Sequence, residues 1–587
     1  MRPSALLCTV LLLSVGCSTP PRPVAPPPTP AEAARAALAA EVAALSSKAE
    51  ALLRTQDELV WKSWTEGTPA DLAKTYAGSD TWLTPAAIAS VDRLRGMTSG
   101  AADRLALSHL YAYLVTEWLA QKTAALSEEA AKLEQSLTFG PAGAERPYRN
   151  LESLLASERS ALLRKTLYEG ATPAVTKLAE VLARRRERTG ALLNELGISS
   201  AALLVDLRES ELAPLVALAN DVLTGTQGAF TTTLGRLSWT ELQLPVERVS
   251  RADIPRLFRL PALDAAFPKS EIFRRAASTL QGLGIDVTAM PNVTLDLKET
   301  AGKNPRGLVL GVVVPTDVRV SLLPVGGARD QRETLHQMGH LLSDALSQQK
   351  VWALAKLGNR TVGEAWSFLL EDLTVDPVWL ERVCGFTGDA QVAWRTSADA
   401  QRLFLLRRAA GKVLFNAGAR ASGADVPALY RDVMKRTYGF PMTAADEARA
   451  ELDREEFLAS ADYLRAFVLA AQIEQQLRGR FGAAWWQQKG AGDWIRGLLA
   501  PGNSLGADGL AHAMGLDGLD VEAFVTRVPT TLGGKPPALP SAPGLAPDAG
   551  PAGPPPATPD AGVPPAAPAD ADAPLAMSVV PTSPGAH

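Results

Sequence analysis

The chain has 587 residues but only three cysteines, Cys8, Cys17 and Cys384. The first two belong to an apolar leader, which leaves Cys384 alone in the body of the chain. One cysteine cannot form an intrachain pair, so a framework of disulfides is excluded. We expect stability to come from a packed hydrophobic core, with a bound metal as a further source.

Positive charge is also in short supply. The chain carries 59 Lys and Arg against 63 Asp and Glu, which gives a formal net charge of −4. This balance excludes binding to a nucleic-acid backbone. The composition, 47% hydrophobic and 21% charged, is that of an ordinary soluble protein. The length allows more than one packed unit, because single cores seldom exceed about 250–300 residues.

The leader lacks a run long enough to span a bilayer, because its apolar stretch covers only Ala5 to Val15. A basic start and a small-residue end predict a signal peptide of the bacterial lipoprotein type at 1–16, with Cys17 lipidated. Ser14 replaces the usual leucine of that motif, so a plain signal peptide stays open as an alternative. Ser18 after the cysteine favours the outer membrane. We therefore expect an exported, lipid-anchored protein of the bacterial cell envelope.

Two segments have too few large apolar residues to form a core. Residues 17–30 are rich in proline and predict a stiff tether, and residues 529–587 are rich in Pro, Ala and Gly and predict a disordered tail. Between them, 31–285 predicts a helical N-terminal part and 286–528 a second part. Apolar residues of the first helix recur on one face: Leu38, Val42, Leu45 and Ala49.

Strand-like sequence is scarce and concentrated in one place. Three β-branched or alternating runs, Val293–Leu297, Gly307–Val314 and Asp317–Leu323, follow one another and are closed by Pro324. They predict a small antiparallel sheet directly before the helix that carries the histidines. The fold class is therefore mainly α, with one small sheet.

Histidine is scarce too, yet two of the five histidines, His336 and His340, stand four residues apart in an apolar segment. On a helix this spacing puts both imidazoles on one face, about 5.4–6 Å apart, which suits a shared zinc ion. Two ordinary helix histidines remain the alternative. A third ligand must come from a neighbouring element, and Glu364 lies on the next predicted helix, 28 residues after His336. Glu371, two turns further on, can accept a hydrogen bond from a ligand histidine.

In the zinc-peptidase pattern HExxH, the residue after the first histidine is a glutamate that activates a metal-bound water. Here that residue is Gln337. Its amide cannot take up the proton, although its NH2 group can donate to the water. General-base assistance is worth about 10²–10⁴ in rate, so a large loss of hydrolysis is expected. Glu333 begins about 6 Å away, one turn earlier, and is expected to be an ordinary surface residue.

The motif resembles that of the thimet oligopeptidase and angiotensin-converting-enzyme group of zinc peptidases, whose pattern is HExGH with a distant glutamate. His336–His340 has the glycine of that group, and Glu364–Glu371 is similar to its glutamate-bearing helix. Val314–Arg319 and Pro324–Gly327 look like the strand and turn that precede the motif. Asp462–Phe467 resembles the helix that lines the cleft opposite the zinc.

This resemblance implies a two-part helical peptidase fold with a cleft, zinc held by His336, His340 and Glu364, and short peptides as ligands. It also implies that Tyr463 donates to the oxyanion of the tetrahedral intermediate. The converting-enzyme pattern would place that tyrosine at Ala466, so a buried aromatic role for Tyr463 stays open.

The sequence thus predicts a peptidase-like protein that binds zinc and peptides with reduced or absent hydrolysis. Two alternatives stay open. One is an active zinc-dependent oligopeptidase that uses Glu333 or a water relay. The other is a metal-free envelope scaffold that interacts through its helical surface and its proline-rich tail.

Overall fold

The computed structural model describes residues 29–68, 70–259 and 261–525. The predicted signal peptide, Cys17, Ser18 and the predicted tail lie outside the described residues. Among the described residues, no single helix is long and apolar enough to cross a membrane. One bent pair, Ala161–Glu195 with Ser200–Arg208, meets that test of length and composition only when both parts are counted together.

The protein is mainly helical, with 72% helix and 4% strand, which confirms the predicted class. The helices that precede the sheet are α1 Pro30–Glu66, α2 Pro85–Gly96, α3 Ala101–Ser136, α4 Leu151–Ser157, α5 Ala161–Gly170, α6 Thr172–Glu195, α7 Ser200–Arg208, α8 Leu212–Gly225, α9 Gln227–Leu237, α10 Ile254–Leu257 and α11 Lys269–Gly282. Those that follow it are α12 Ala328–Ala345, α13 Trp352–Lys356, α14 Thr361–Glu371, α15 Pro377–Cys384, α16 Gly388–Gly418, α17 Val426–Tyr438, α18 Ala444–Glu447, α19 Ser460–Phe481, α20 Lys489–Leu499 and α21 Gly506–Ala513.

Helix α1 begins and ends where its sequence requires. Thr29 and Glu32 form a capping box around Pro30 at the first helical position, and Gly67 ends the helix with a φ of 72°. The four apolar residues that predicted its inner face, Leu38, Val42, Leu45 and Ala49, are all buried. The predicted amphipathic face is therefore confirmed.

Helical spacing of apolar residues predicts single helices over Leu151 to Tyr168 and over Glu455 to Phe481, and both differ in their bounds because of local hydrogen bonds. The segment from Leu151 to Tyr168 forms two helices, since the side chain of Ser160 accepts from the backbone NH of Leu163 and starts α5. Helix α19 begins at Ser460 rather than at Glu455. The carboxylate of Glu455 instead accepts hydrogen bonds from the backbone NH and hydroxyl of Ser460.

The side chains pack into two main cores. One joins α1, α2 and α3 with the ends of α6 and α7, and α13 also contributes to it. The larger core extends from Leu204 to Phe524 and contains α12, α14, α16 and α19. Helices α8, α9 and α11 belong to this larger core, together with the elements that follow residue 285.

The sheet before α12 is mixed, so the prediction of an antiparallel sheet was wrong in one pairing. Strands β1 Thr138–Phe139 and β2 Arg146–Pro147 form a separate small hairpin, and the sheet itself contains β3 Val293–Asp296, β4 Leu308–Val313 and β5 Asp317–Ser321 in the order β3–β5–β4. Strands β4 and β5 are antiparallel, whereas β3 runs parallel to β5. The connection from 297 to 307 leads from β3 to β4 at the opposite edge of the sheet. The chain then turns back into β5 between them, so β5 runs antiparallel to β4 and parallel to β3.

The two faces of the sheet pack against different elements, because successive strand residues point to opposite sides. Leu308, Leu310 and Val312 pack with Val60 of α1. On the other face, Val309 packs beside Val318 and Val320 in the larger core. The sheet thus lies between α1 and α12.

A buried carboxylate links α1 to α3. One oxygen of Glu117 accepts from Nε2 of Gln56 at 3.0 Å and from the hydroxyl of Tyr76 at 2.8 Å. Burial raises the pKa of Glu117 to about 7, although both hydrogen bonds lower it. The folded protein therefore holds a proton that the unfolded chain releases near pH 4.5. The contribution of Glu117 to stability is therefore largest below that pH and falls as the pH rises to about 7.

We expect Glu117→Gln to flatten this pH dependence. The carbonyl oxygen of glutamine can accept both hydrogen bonds without carrying a charge, so the variant should exceed the unaltered protein by about 3 kcal/mol in unfolding free energy at about pH 8. The two should agree at about pH 4.5. Urea unfolding at both pH values checks this, with Glu128→Gln on the exposed side of α3 as the control. The prediction would be contradicted if the unfolding free energy changed by the same amount between the two pH values in the unaltered protein and in Glu117→Gln.

Candidate metal centre

Helix α12 carries both histidines and is packed against β4, β5, α11 and α14. It starts after Gly326 and Gly327, whose φ angles of 106° and 101° favour glycine. The carboxylate of Asp330, in its first turn, accepts from the backbone NH groups of Val325 and Gly326. The turn that enters α12 is thus fixed by its own helix.

Helix α14 crosses α12 at very short range. A Cβ added to Gly339 would lie 2.2 Å from Cα of Ser367 and 2.5 Å from the carbonyl oxygen of Trp366. Only glycine permits this approach, which explains the residue before the second histidine in chemical terms. The close contact is what brings Glu364 of α14 toward the histidines of α12.

The three predicted ligands converge. Oε2 of Glu364 lies 3.5 Å from Nε2 of His336 and 3.8 Å from Nε2 of His340, and all three ligand atoms lie within 4.8 Å of one another. A tetrahedral zinc ion with bonds of about 2.0–2.1 Å needs ligand atoms roughly 3.3–3.5 Å apart. Two imidazoles and a carboxylate are a donor set that zinc accepts, so the residues fit the metal.

Glu371 contacts the ring nitrogen of His336 that faces away from Glu364, as expected. Its Oε2 accepts from Nδ1 of His336 at 3.0 Å, which leaves Nε2 to face Glu364. Its Oε1 accepts from Nε of Arg332 at 3.0 Å. Burial would raise the pKa of Glu371, but the charges of Arg332 and His336 outweigh it and lower the pKa to about 2. The group behind the ligand is therefore a carboxylate at neutral pH.

The two histidines differ in their electrostatic surroundings. Burial lowers the pKa of His340 to about 4. Burial acts on His336 in the same direction, but its contacts with Glu364 and Glu371 prevail and raise its pKa to about 10. A metal at this site would displace the proton of His336, because a ligand nitrogen must be unprotonated.

Gln337 has a hydrogen-bond partner that the sequence did not predict. Its Nε2 donates to Oε1 of Glu333 at 3.0 Å, which uses one of the two hydrogens of the NH2 group. Its Oε1 is buried and has no hydrogen-bond partner among the described residues. Glu333 is half-buried and contacts Gln337. It is not the ordinary surface glutamate that the helical distance suggested.

Tyr463 lies near the centre, but its hydroxyl has another partner. Burial raises the pKa of Tyr463, and the nearby charge of Glu364 raises it further, while a hydrogen bond with Arg360 lowers it. The neighbouring Asp462 pairs with Arg208 and accepts from the backbone NH of Arg360. These contacts tie α19 to the start of α14. Donation by Tyr463 to an oxyanion stays a prediction.

A cavity of about 630 Å³ reaches Arg360 and Tyr463. Residues of both cores line it, including Tyr113 and Phe404. The residues that line the cavity do not include His336, His340 or Glu364. The cavity therefore approaches the metal centre through Arg360 and Tyr463.

Two contributing residues escaped the sequence analysis. Arg332 precedes His336 by four residues, so both lie on one helix face and can reach Glu371 together; that spacing was a usable signal. Phe368 lies 5.4 Å from the His336 ring and stacks on Phe467 of α19 at 3.9 Å. No sequence signal pairs those two rings.

Comparison with known proteins assigns no family to this chain, because no protein-family model matches it and a search of curated proteins gives no match either.

We expect Gly339→Ala to disrupt the centre. The added methyl group meets the α14 backbone, so the helices must separate, at a cost of about 1–3 kcal/mol in unfolding free energy, and the ligands separate with them. Chemical denaturation and zinc titration measure the two effects. Gly190→Ala, within α6, is the matched control, because its added Cβ would meet no neighbouring atom within 4 Å. Similar behaviour of both variants would contradict the role of the close approach.

We expect Glu371→Gln to weaken zinc binding by about 10–100-fold, because His336 loses the carboxylate that orients it. The fold should persist, since the shape of the side chain is nearly unchanged. Competition with a chelator of known affinity measures the change, with the exposed Glu381→Gln as control. Unchanged zinc affinity in Glu371→Gln would show that the 3.0 Å contact with His336 does not support the ligand.

Proposed function

We propose that this protein is an exported, lipid-anchored member of the thimet oligopeptidase and angiotensin-converting-enzyme group that binds zinc and short peptides with little or no hydrolysis. The zinc ligands are His336, His340 and Glu364. Gln337 occupies the position of the general base. The observation that carries the proposal is the convergence of the three ligand atoms beside a glutamine.

The chemistry follows from what the side chains can and cannot do. Zinc, when bound, supplies a Lewis acid that can hold a peptide carbonyl. The amide of Gln337 cannot accept a proton from water at accessible pH. Without that transfer, attack on the peptide bond lacks its base, and the leaving amine lacks its proton donor. Binding is retained and cleavage is lost.

Peptides are the proposed ligands because of the space beside the centre. The cavity of about 630 Å³ is within the range of about 300–1,000 Å³ typical of ligand sites. It combines apolar residues such as Leu405 with charged residues such as Arg360. A short peptide presents the same mixture of apolar side chains and polar backbone. Export and membrane attachment rest on the leader and Cys17.

The test combines metal analysis with a peptide-cleavage assay. The purified protein should contain one zinc, lose it in His336→Ala, and cleave a mixture of short peptides slowly or not at all. Gln337→Glu should raise cleavage, by up to about 10²–10⁴ if the base is all that is missing. Efficient cleavage by the unaltered protein would overturn the proposal that hydrolysis is lost. Zinc that persists at full stoichiometry in His336→Ala would overturn the ligand assignment.

The contact between Glu333 and Gln337 favours a second candidate, an active zinc-dependent peptidase in which Glu333 serves as the base. Its carboxylate already reaches the Gln337 amide. This candidate requires zinc-dependent turnover that disappears in Glu333→Ala while zinc content stays unchanged.

A further inference from the structure

The orientation of the Gln337 amide is determined by its neighbour. Oε1 of Glu333 is a carboxylate oxygen and can only accept, so the group it holds at 3.0 Å must be the NH2 end of Gln337. The carbonyl end, bonded to the same carbon, must then point elsewhere. Glu333 therefore sets how the amide faces, with the carbonyl oxygen and the second N–H of the NH2 group directed away from its carboxylate.

The pair is enclosed and lies beside the metal ligands. A Cβ added to Gly307, just before β4, would lie 2.6 Å from Cγ of Gln337 and 3.0 Å from Oε1 of Glu333. At roughly 100° per residue, positions 333, 336, 337 and 340 occupy one sector of α12 about 100° wide. Gln337 thus borders the face that carries both histidines, and the backbone at Gly307 lies directly against its side chain.

The carbonyl oxygen of Gln337 needs a hydrogen-bond donor. It is buried and has no hydrogen-bond partner among the described residues. A buried acceptor costs free energy unless something donates to it. A small molecule bound to the metal could donate to this oxygen if it carries an O–H or N–H group. A molecule that only accepts hydrogen bonds would place its own lone pairs against the carbonyl oxygen, and the two would repel.

We propose that Glu333 is a positioning residue that turns the carbonyl oxygen of Gln337 toward the metal's open coordination position, so that the centre selects hydrogen-bond donors over pure acceptors. Water and amines belong to the favoured class, and carboxylates to the disfavoured one. The inference rests on the proposed function, because it requires a metal at the three ligands.

The first experiment measures ligand selection without any catalytic assay. Acetate, which only accepts, is titrated into the Co²⁺-loaded protein, and the visible spectrum of the metal gives its dissociation constant. Glu333→Asp keeps the negative charge but is shorter by one carbon–carbon bond, which breaks the contact and lets the amide turn its NH2 group to acetate. We expect acetate to bind this variant about tenfold more tightly, the effect of one repulsive contact replaced by a hydrogen bond.

The controls separate this inference from the proposed function. Glu381→Asp makes the same change at an exposed position and should bind acetate like the unaltered protein. Equal acetate affinities in Glu333→Asp and the unaltered protein would overturn the positioning role and leave the metal site intact. Failure of the unaltered protein to bind Co²⁺ would overturn both.

A second experiment exchanges the two residues. In Glu333→Gln with Gln337→Glu, the same hydrogen bond forms with its direction reversed, since the amide introduced at position 333 donates to a carboxylate whose other oxygen faces the metal. Gln337→Glu alone places two carboxylates at hydrogen-bond distance, where they repel and displace each other. We expect peptide cleavage by the exchanged variant to exceed that of the single variant severalfold, at equal zinc content. Equal or lower cleavage would contradict the positioning by the residue at position 333.

Discussion

The arrangement of the centre depends on one close contact between helices. At Gly339 the backbone of α14 lies where any larger side chain of α12 would be, and helix pairs approach this closely only through small residues. The contact sets the position of Glu364 relative to His336 and His340. It also explains why a motif known for its histidines includes a glycine between them. The ligands are brought together by a residue that has no side chain to bind with.

Around that contact, polar side chains fix one another in a definite order. Arg332 binds Glu371, and Glu371 orients His336. Glu333 binds Gln337 on the same helix. The first set resembles the support that a working zinc site needs, whereas the second holds an amide where a base would be. The site therefore combines a histidine supported by a carboxylate with a neighbouring amide that cannot act as a base.

The sequence predicted part of this arrangement well. The four-residue spacing of His336 and His340 placed both on one face, and the position of Glu371 two turns after Glu364 predicted its contact with His336. The expectation that Glu333 is an ordinary surface residue was wrong, because helical distances alone put it too far from Gln337. Flexible glutamate and glutamine side chains bridge such a gap when the surrounding backbone, here at Gly307, confines them.

Local properties of the chain were determined by the sequence itself: the helical class, the amphipathic face of α1, the caps, and the common helix face of His336 and His340. These depend on spacing and on residue type, which are read over a few positions. Tertiary structure decided the direction of β3, the approach of α14 to α12 and the contact of Tyr463 with Arg360. Each of those depends on which distant part of the chain lies alongside. The packing between elements determines this, and the spacing of residues within one element does not.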